Sequence, residues 1–183
     1  MKLGENIRKI RRRHRRTLQE IADAAEISKS LLSKIETGST SPPIATLMRI
    51  ADALGVPVSG LMDPSAEVGT VFTPARSVDS RNLTRTDKGY LFCTLAAGRA
   101  DKRMQVFVFE AERGKVKRQP LSHGGEEFVY MLQGRMKYRV ASVEYTLGPG
   151  DSLYFDGEDD HDLAPITDRV RYLAVFVDRE AQA

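Results

Sequence analysis

Residues 17–38 read TLQEIADAAEISKSLLSKIETG, and two short helices with a break between them are written into that stretch. Leu18, Ile21, Ala22 and Ala25 recur at helical spacing and make one apolar stripe. Thr17-Leu-Gln-Glu20 has the form of a capping box, in which Thr17 accepts from the backbone three residues on and Glu20 reaches back. Ser28 is placed as the N-cap of the second helix, whose apolar side is Leu32 and Ile35. Gly38 stands where a left-handed residue ends a helix, and Pro42-Pro43 prevents continuation.

Outward from this stretch the helical period persists. Leu3, Ile7 and Ile10 precede it; Ile44, Leu47, Met48, Ala51 and Leu54 follow; Val58, Leu61 and Met62 predict a short fifth helix. From about Glu67 the texture changes to β-branched and aromatic runs between turns. Strands are predicted over 90–95, 104–109, 127–132, 136–140, 143–147, 152–155 and 169–177, with Gln133-Gly134, Gly148-Pro149-Gly150-Asp151 and Asp156-Gly157 between them. Many short strands at close spacing predict a sandwich or barrel. The chain therefore reads as an α+β two-domain protein: five helices in 1–66, a linker or first edge strand in 67–80, and an all-β domain in 81–183.

A length of 183 residues accommodates one or two domains. With 41% hydrophobic and 29% charged residues, wholesale disorder is excluded. No apolar run approaches the roughly 20 residues of a membrane span, and no apolar stretch follows the N-terminal charges as in a secretory signal. Cys93 is alone, so an internal disulfide and a thiolate zinc site are both excluded, and a cytoplasmic location is expected. The net charge of +3 hides an asymmetry. Residues 1–66 carry 11 basic and 7 acidic side chains, and residues 67–183 carry 17 and 18. Within 1–16 the ratio is 8 to 1, and Arg11-Arg12-Arg13-His14-Arg15-Arg16 lies just before the quoted stretch.

With its flanks over 4–62, the quoted stretch resembles the helix-turn-helix of phage-repressor-like (xenobiotic response element family) regulators. Gln19-Glu20-Ile21-Ala22, Ile27-Ser28, Ile35-Glu36 and Gly38 carry the resemblance, while Glu26 stands where that family often has glycine. The resemblance implies that the helix beginning at Lys29 enters the major groove of DNA. The base-reading positions then fall on Lys29, Ser30 and Lys34, with Ser28 and Ser33 beside them. Thr17, Leu18 and Gln19 at the start of the preceding helix, and Thr40 and Ser41 in the following loop, are phosphate candidates. The whole run Arg11-Arg12-Arg13-His14-Arg15-Arg16, Arg12 and Arg13 among it, supplies charge that releases counterions.

The segments Pro120-Leu-Ser-His123-Gly-Gly-Glu-Glu127 to Gly134 and Gly150 to His161 resemble the two cupin motifs. The fold implied is a small antiparallel jelly-roll barrel. By position, the metal-binding set of that family falls on Leu121, His123, Glu127 and His161, so the first imidazole is missing. Asp156, Glu158 and Pro165 also depart from the second motif. Strand alternation puts Glu127, Val129 and Met131 on one face and turns Glu126 away. Two imidazoles and a carboxylate suit a divalent metal (zinc, iron, nickel or manganese). They equally suit metal-free hydrogen bonding to a small polar effector. Lys117, Arg118, Gln119, Tyr138 and Tyr154 are weaker candidates for contacts to an anion, or are surface and packing residues.

Together these implications describe a regulator that binds operator DNA as a homodimer, senses a small-molecule effector in its barrel, and has no membrane partner. The alternative is a non-haem iron enzyme, since the domain pairing with a His, Glu, His set resembles the iron-dependent hydroxypropylphosphonate epoxidase. A cupin isomerase or sugar-binding module is a third reading, which no feature of the sequence favours.

Overall fold

A computed structural model describes residues 3–62, 70–79, 82–99 and 102–177. The chain forms two compact units, Met1–Phe72 with Ala96–Lys102, and Thr73–Leu95 with Arg103–Ala183. The expected boundary at residue 66 lies outside the described residues. Within the expected linker, Ala75–Val78 is a 3-10 turn rather than a strand. Pro74, in extended conformation, opens it, and the Asn82 amide donates to the Arg76 carbonyl at 2.8 Å. The first edge strand falls later, at Thr84–Arg85.

The first unit holds five helices: α1 (Leu3–Arg13), α2 (Leu18–Ala24), α3 (Lys29–Glu36), α4 (Ile44–Leu54) and α5 (Val58–Met62). Their apolar stripes meet in one core, in which Ile7, Ile21, Leu32, Leu47, Ile50 and Leu61 have no exposed surface. The capping box forms as expected: Thr17 Oγ1 accepts from Glu20 N at 3.2 Å, and Thr17 N donates to the Glu20 carboxylate at 2.6 Å. These bonds from Thr17 hold the Glu20 carboxyl below its usual range. Ser28 Oγ accepts from Leu31 N and starts α3.

The break between α2 and α3 closes through two bonds, Glu26 N to Asp23 O and Ile27 N to Ala22 O, with Glu26 in the left-handed region at φ 53°. Gly38 closes α3 in the same way, through Gly38 N to Ile35 O and Ser39 N to Lys34 O. This is the Schellman pattern, and it explains why glycine suits position 26. A glutamate there bears the left-handed penalty, on the order of 1–2 kcal/mol.

One residue of the arginine run departs from expectation. Arg11 is buried, and its Nε and Nη2 donate to the two carboxylate oxygens of Glu36 at 2.6 and 2.9 Å. Its Nη1 donates to the Arg16 carbonyl. Arg11 follows Ile7 by one helical turn, so it faces α3 and ties the first helix to the third.

The second unit is antiparallel throughout. Its strands are β1 (Thr84–Arg85), β2 (Leu91–Thr94), β3 (Met104–Glu112), β4 (Glu126–Gln133), β5 (Met136–Val140), β6 (Val143–Leu147), β7 (Ser152–Asp156), β8 (His161–Pro165) and β9 (Arg169–Val177). They form a six-stranded sheet, ordered β1-β2-β3-β9-β4-β7, and a three-stranded sheet, β6-β5-β8. Alternation supplies the core. Phe107, Phe109, Val129, Met131, Tyr172 and Phe176 point inward from the larger sheet, and Met136, Tyr138 and Leu163 from the smaller. Each fully buried phenylalanine stabilises the barrel by roughly 2–3 kcal/mol. Phe109 stacks on Tyr172, and Phe107 meets Phe176 edge-on.

Candidate functional site

Two places in the chain bring functional side chains together. On the helical unit, Lys29, Ser30 and Lys34 lie exposed on α3, with Ser33 half-buried beside them. Leu32, Ile35 and Glu36 face the core, which fixes the opposite side of α3 outward. Thr17 and Ser28 are exposed, but their side-chain oxygens accept the capping bonds; each hydroxyl keeps a hydrogen to donate. Gln19 donates to Asp23 at 2.7 Å. Arg12 and Arg13 are exposed at the end of α1, and Thr40 is half-buried after α3. Every expected DNA-reading residue is therefore accessible to some degree.

Inside the barrel, His123, Glu127 and His161 come together and all are buried. β4 aims Glu127 inward, His161 opens β8, and His123 lies in the loop before β4. Glu127 Oε2 is 3.0 Å from His123 Nε2 and 3.5 Å from His161 Nε2. Each ring's other nitrogen faces a backbone carbonyl: His123 Nδ1 lies 2.9 Å from Gly124 O, and His161 Nδ1 lies 2.8 Å from Asp159 O. A carbonyl can only accept, so each Nδ1 carries a hydrogen. Both Nε2 atoms then aim at the carboxylate, and the three donor atoms lie within 4.8 Å of one another. Electron-rich atoms converging in a buried place are held together by a shared proton, on an imidazole or on the carboxyl, or by a metal ion. Burial pushes the His161 pKa down despite the Glu127 charge, which favours the neutral imidazole that a metal binds.

Models of known families match both units: a helix-turn-helix over residues 7–61 and a cupin domain over residues 107–176. The HTH-type transcriptional regulator SutR of Escherichia coli K12 is 25% identical over 162 residues, covering 87% of this chain and 84% of SutR. The uncharacterized HTH-type transcriptional regulator y4dJ of Sinorhizobium fredii is 34% identical over 65 residues, covering 36% of this chain and 84% of y4dJ. The crystal structure of an HTH_3 family transcriptional regulator from Vibrio cholerae has the same fold, with a TM-score of 0.70 at 20% identity over 98% of this chain and 96% of that one. The chain belongs to the helix-turn-helix transcriptional regulators and carries a cupin domain.

This regulator's barrel site draws in further residues, of which Tyr138 reads in the sequence as a weaker candidate for contact with an anion and Leu121 as the position of the missing imidazole. Tyr138 is buried on β5, and its hydroxyl donates to Glu127 Oε1 at 3.4 Å. Burial, reinforced by the Glu127 charge, holds its phenol well above the ordinary range, so it stays protonated and donating. Phe155 and Phe176 wall the two imidazoles at ring distances of 5.1 and 5.0 Å. Gly157 lies against His123: a Cβ there would meet the ring at 2.4 Å. Leu121, at the position of the missing imidazole, is bridged to His161 by backbone bonds of 2.9 Å in both directions.

Of the weaker candidates, Arg118 pairs with Asp162 and Glu144. Lys117 and Gln119 are exposed, and Tyr154 is exposed on β7. Cys93 is half-buried, and burial pushes its thiol pKa up.

Proposed function

We propose that this regulator reads operator DNA sequence-specifically through α3, as a cytoplasmic homodimer, and that its barrel answers to a small-molecule effector. The observation that carries the reading is the polar outer side of α3. Lys29, Ser30 and Lys34 stand exposed on it while its apolar side is locked into the helical core. Lysine donates to guanine O6 and N7, and serine pairs with several bases. Ser28 and Ser33 flank these base readers, Thr17, Gln19 and Thr40 hold the protein against the phosphates, and Arg12 and Arg13 add non-specific attraction. One recognition helix reads only a few base pairs, so two copies on a two-fold site supply the specificity.

In the barrel, His123, Glu127 and His161 would hold the divalent ion (zinc, iron, nickel or manganese). The protonated Nδ1 atoms fix the rings, and Tyr138 restrains the second carboxylate oxygen. A bound ion of this kind supplies a coordination site for an oxygen or nitrogen of the effector. The effector acts on DNA binding only if it prefers one arrangement of the two heads. Substitution tests the DNA reading. Lys34→Ala and Ser30→Ala are expected to relax sequence preference, each by about 1–3 kcal/mol of discrimination, without abolishing binding to unrelated DNA. Equal losses on all sequences contradict it.

A second reading rests on the donor set itself, because two imidazoles and one carboxylate are the ligands of non-haem iron oxygenases. Stoichiometric iron in the purified protein with consumption of oxygen supports that reading. A chain that retains no iron and consumes no oxygen excludes it.

A further inference from the structure

The outer face of the six-stranded sheet contradicts the usual pattern, in which an antiparallel sheet turns polar residues outward. Register defines the rows that cross it. One row runs Val106, Val175, Phe128 and Tyr154 over β3, β9, β4 and β7. The next runs Val108, Leu173, Tyr130 and Ser152 over the same strands, with Cys93 of β2 beside Val108. Neither row holds a charge. Tyr154 is 66% exposed, Met104 58%, Leu132 45% and Tyr130 39%. At about 4.8 Å between strands and 3.3 Å per residue, the rows span roughly 20 by 20 Å. Val108 within them is buried and Val106, Val175, Phe128 and Leu173 are half-buried, so the open part lies at Tyr154, Tyr130, Leu132 and Met104. At about 400 Å², the face is the size of the largest apolar patch on a typical monomer, which is often an interaction site. It matches the dry centre of an interface burying about 800 Å² per partner.

We infer that this face pairs with the same face of a second copy of the chain, and is the interface that joins the two DNA-reading heads. The inference rests on the homodimer proposed above and names its surface. Charge at the margins selects the geometry. One margin carries Glu126 and Asp156; the other balances Arg169 and Arg171 against Glu110 and Glu112. A two-fold axis along the strands stacks the acidic margin on itself. An axis across the strands stacks it on the balanced margin, and avoids that repulsion. The apolar rows cover each other in either case, and Tyr130 and Tyr154 supply the aromatic area typical of interface centres.

The test is sedimentation velocity and native mass spectrometry of the full chain without DNA. The wild type is expected to be a dimer at low micromolar concentration. Tyr130→Glu and Tyr154→Glu are each expected to weaken the dimer by roughly tenfold or more. Tyr154 is the safer site for folding, since it is largely exposed on the edge strand β7. Tyr145→Glu is the control: Tyr145 is 41% exposed on β6 of the other sheet, and the variant is expected to remain dimeric. A monomeric wild type overturns the inference, as does a dimer broken by Tyr145→Glu but not by Tyr154→Glu. Binding to DNA is measured separately, so a monomer that still reads a specific sequence defeats the interface and leaves the DNA reading standing. A dimer indifferent to sequence does the reverse.

Discussion

Gly157→Ala isolates the link between backbone packing and the buried site. The added Cβ would lie 2.4 Å from both Cε1 and Nδ1 of His123 and 2.9 Å from its carbonyl oxygen. Ordinary contact begins near 3.4 Å, so the imidazole must retreat by about 1 Å. The ring has little room, because Phe176 and His161 pack against it at 5.0 and 5.2 Å. Overfilling a close-packed site of this kind costs about 1–3 kcal/mol. The same shift breaks the 2.9 Å bond between His123 Nδ1 and Gly124 O that orients the ring. Loss of such an orienting partner lowers metal affinity by about 10–100-fold. The assays are thermal unfolding and calorimetric titration with zinc and nickel ions. Gly124→Ala is the matched control: its Cβ would meet nothing within 4 Å, and the accepting carbonyl is kept. Unfolding and titration curves for Gly157→Ala that match the wild type contradict any coupling of this contact to the site. So does an equal loss in Gly124→Ala.

Glu26→Gly is expected to stabilise the helical unit by about 1 kcal/mol, read from chemical unfolding, because glycine removes the left-handed penalty at φ 53°. Arg11→Met leaves the buried Glu36 carboxylate without its guanidinium and is expected to cost about 3–5 kcal/mol, seen as loss of cooperative unfolding at lower denaturant. Tyr138→Phe keeps the packed ring but removes the donor to Glu127 Oε1. It is expected to change stability by no more than about 1.5 kcal/mol while weakening metal binding about tenfold or more, measured by the same titration.

The helical unit was legible because its signals are local. Apolar period, capping box and helix-ending glycine all lie within a few residues of one another, and each forms where it was expected. The inward turn of Arg11 was recoverable from phase alone, since Ile7 lies one turn before it, but the run of like charges hid it. His123, Glu127 and His161 were legible as a set because two motifs keep their spacing, and strand alternation alone separated Glu127 from Glu126. Tyr138 reads in the sequence only as a weaker candidate for contact with an anion, and Gly157 only as a turn residue; their contacts with Glu127 and His123 were not legible. One comes from the smaller sheet and the other from the loop after β7, and only closure of the barrel brings them to the imidazoles. The apolar outer face was equally hidden. Its residues alternate with core residues along four strands, so each strand reads merely as a continuous apolar run until register is known.

The most direct measurement is affinity for the chain's own upstream region and for a scrambled duplex of equal length, each across a salt series. The expected result is a steep fall of log K with log salt on both, with the upstream region at least about a thousandfold tighter than the scrambled duplex at physiological salt. Equal affinities for the two duplexes, or a flat salt dependence, contradict it.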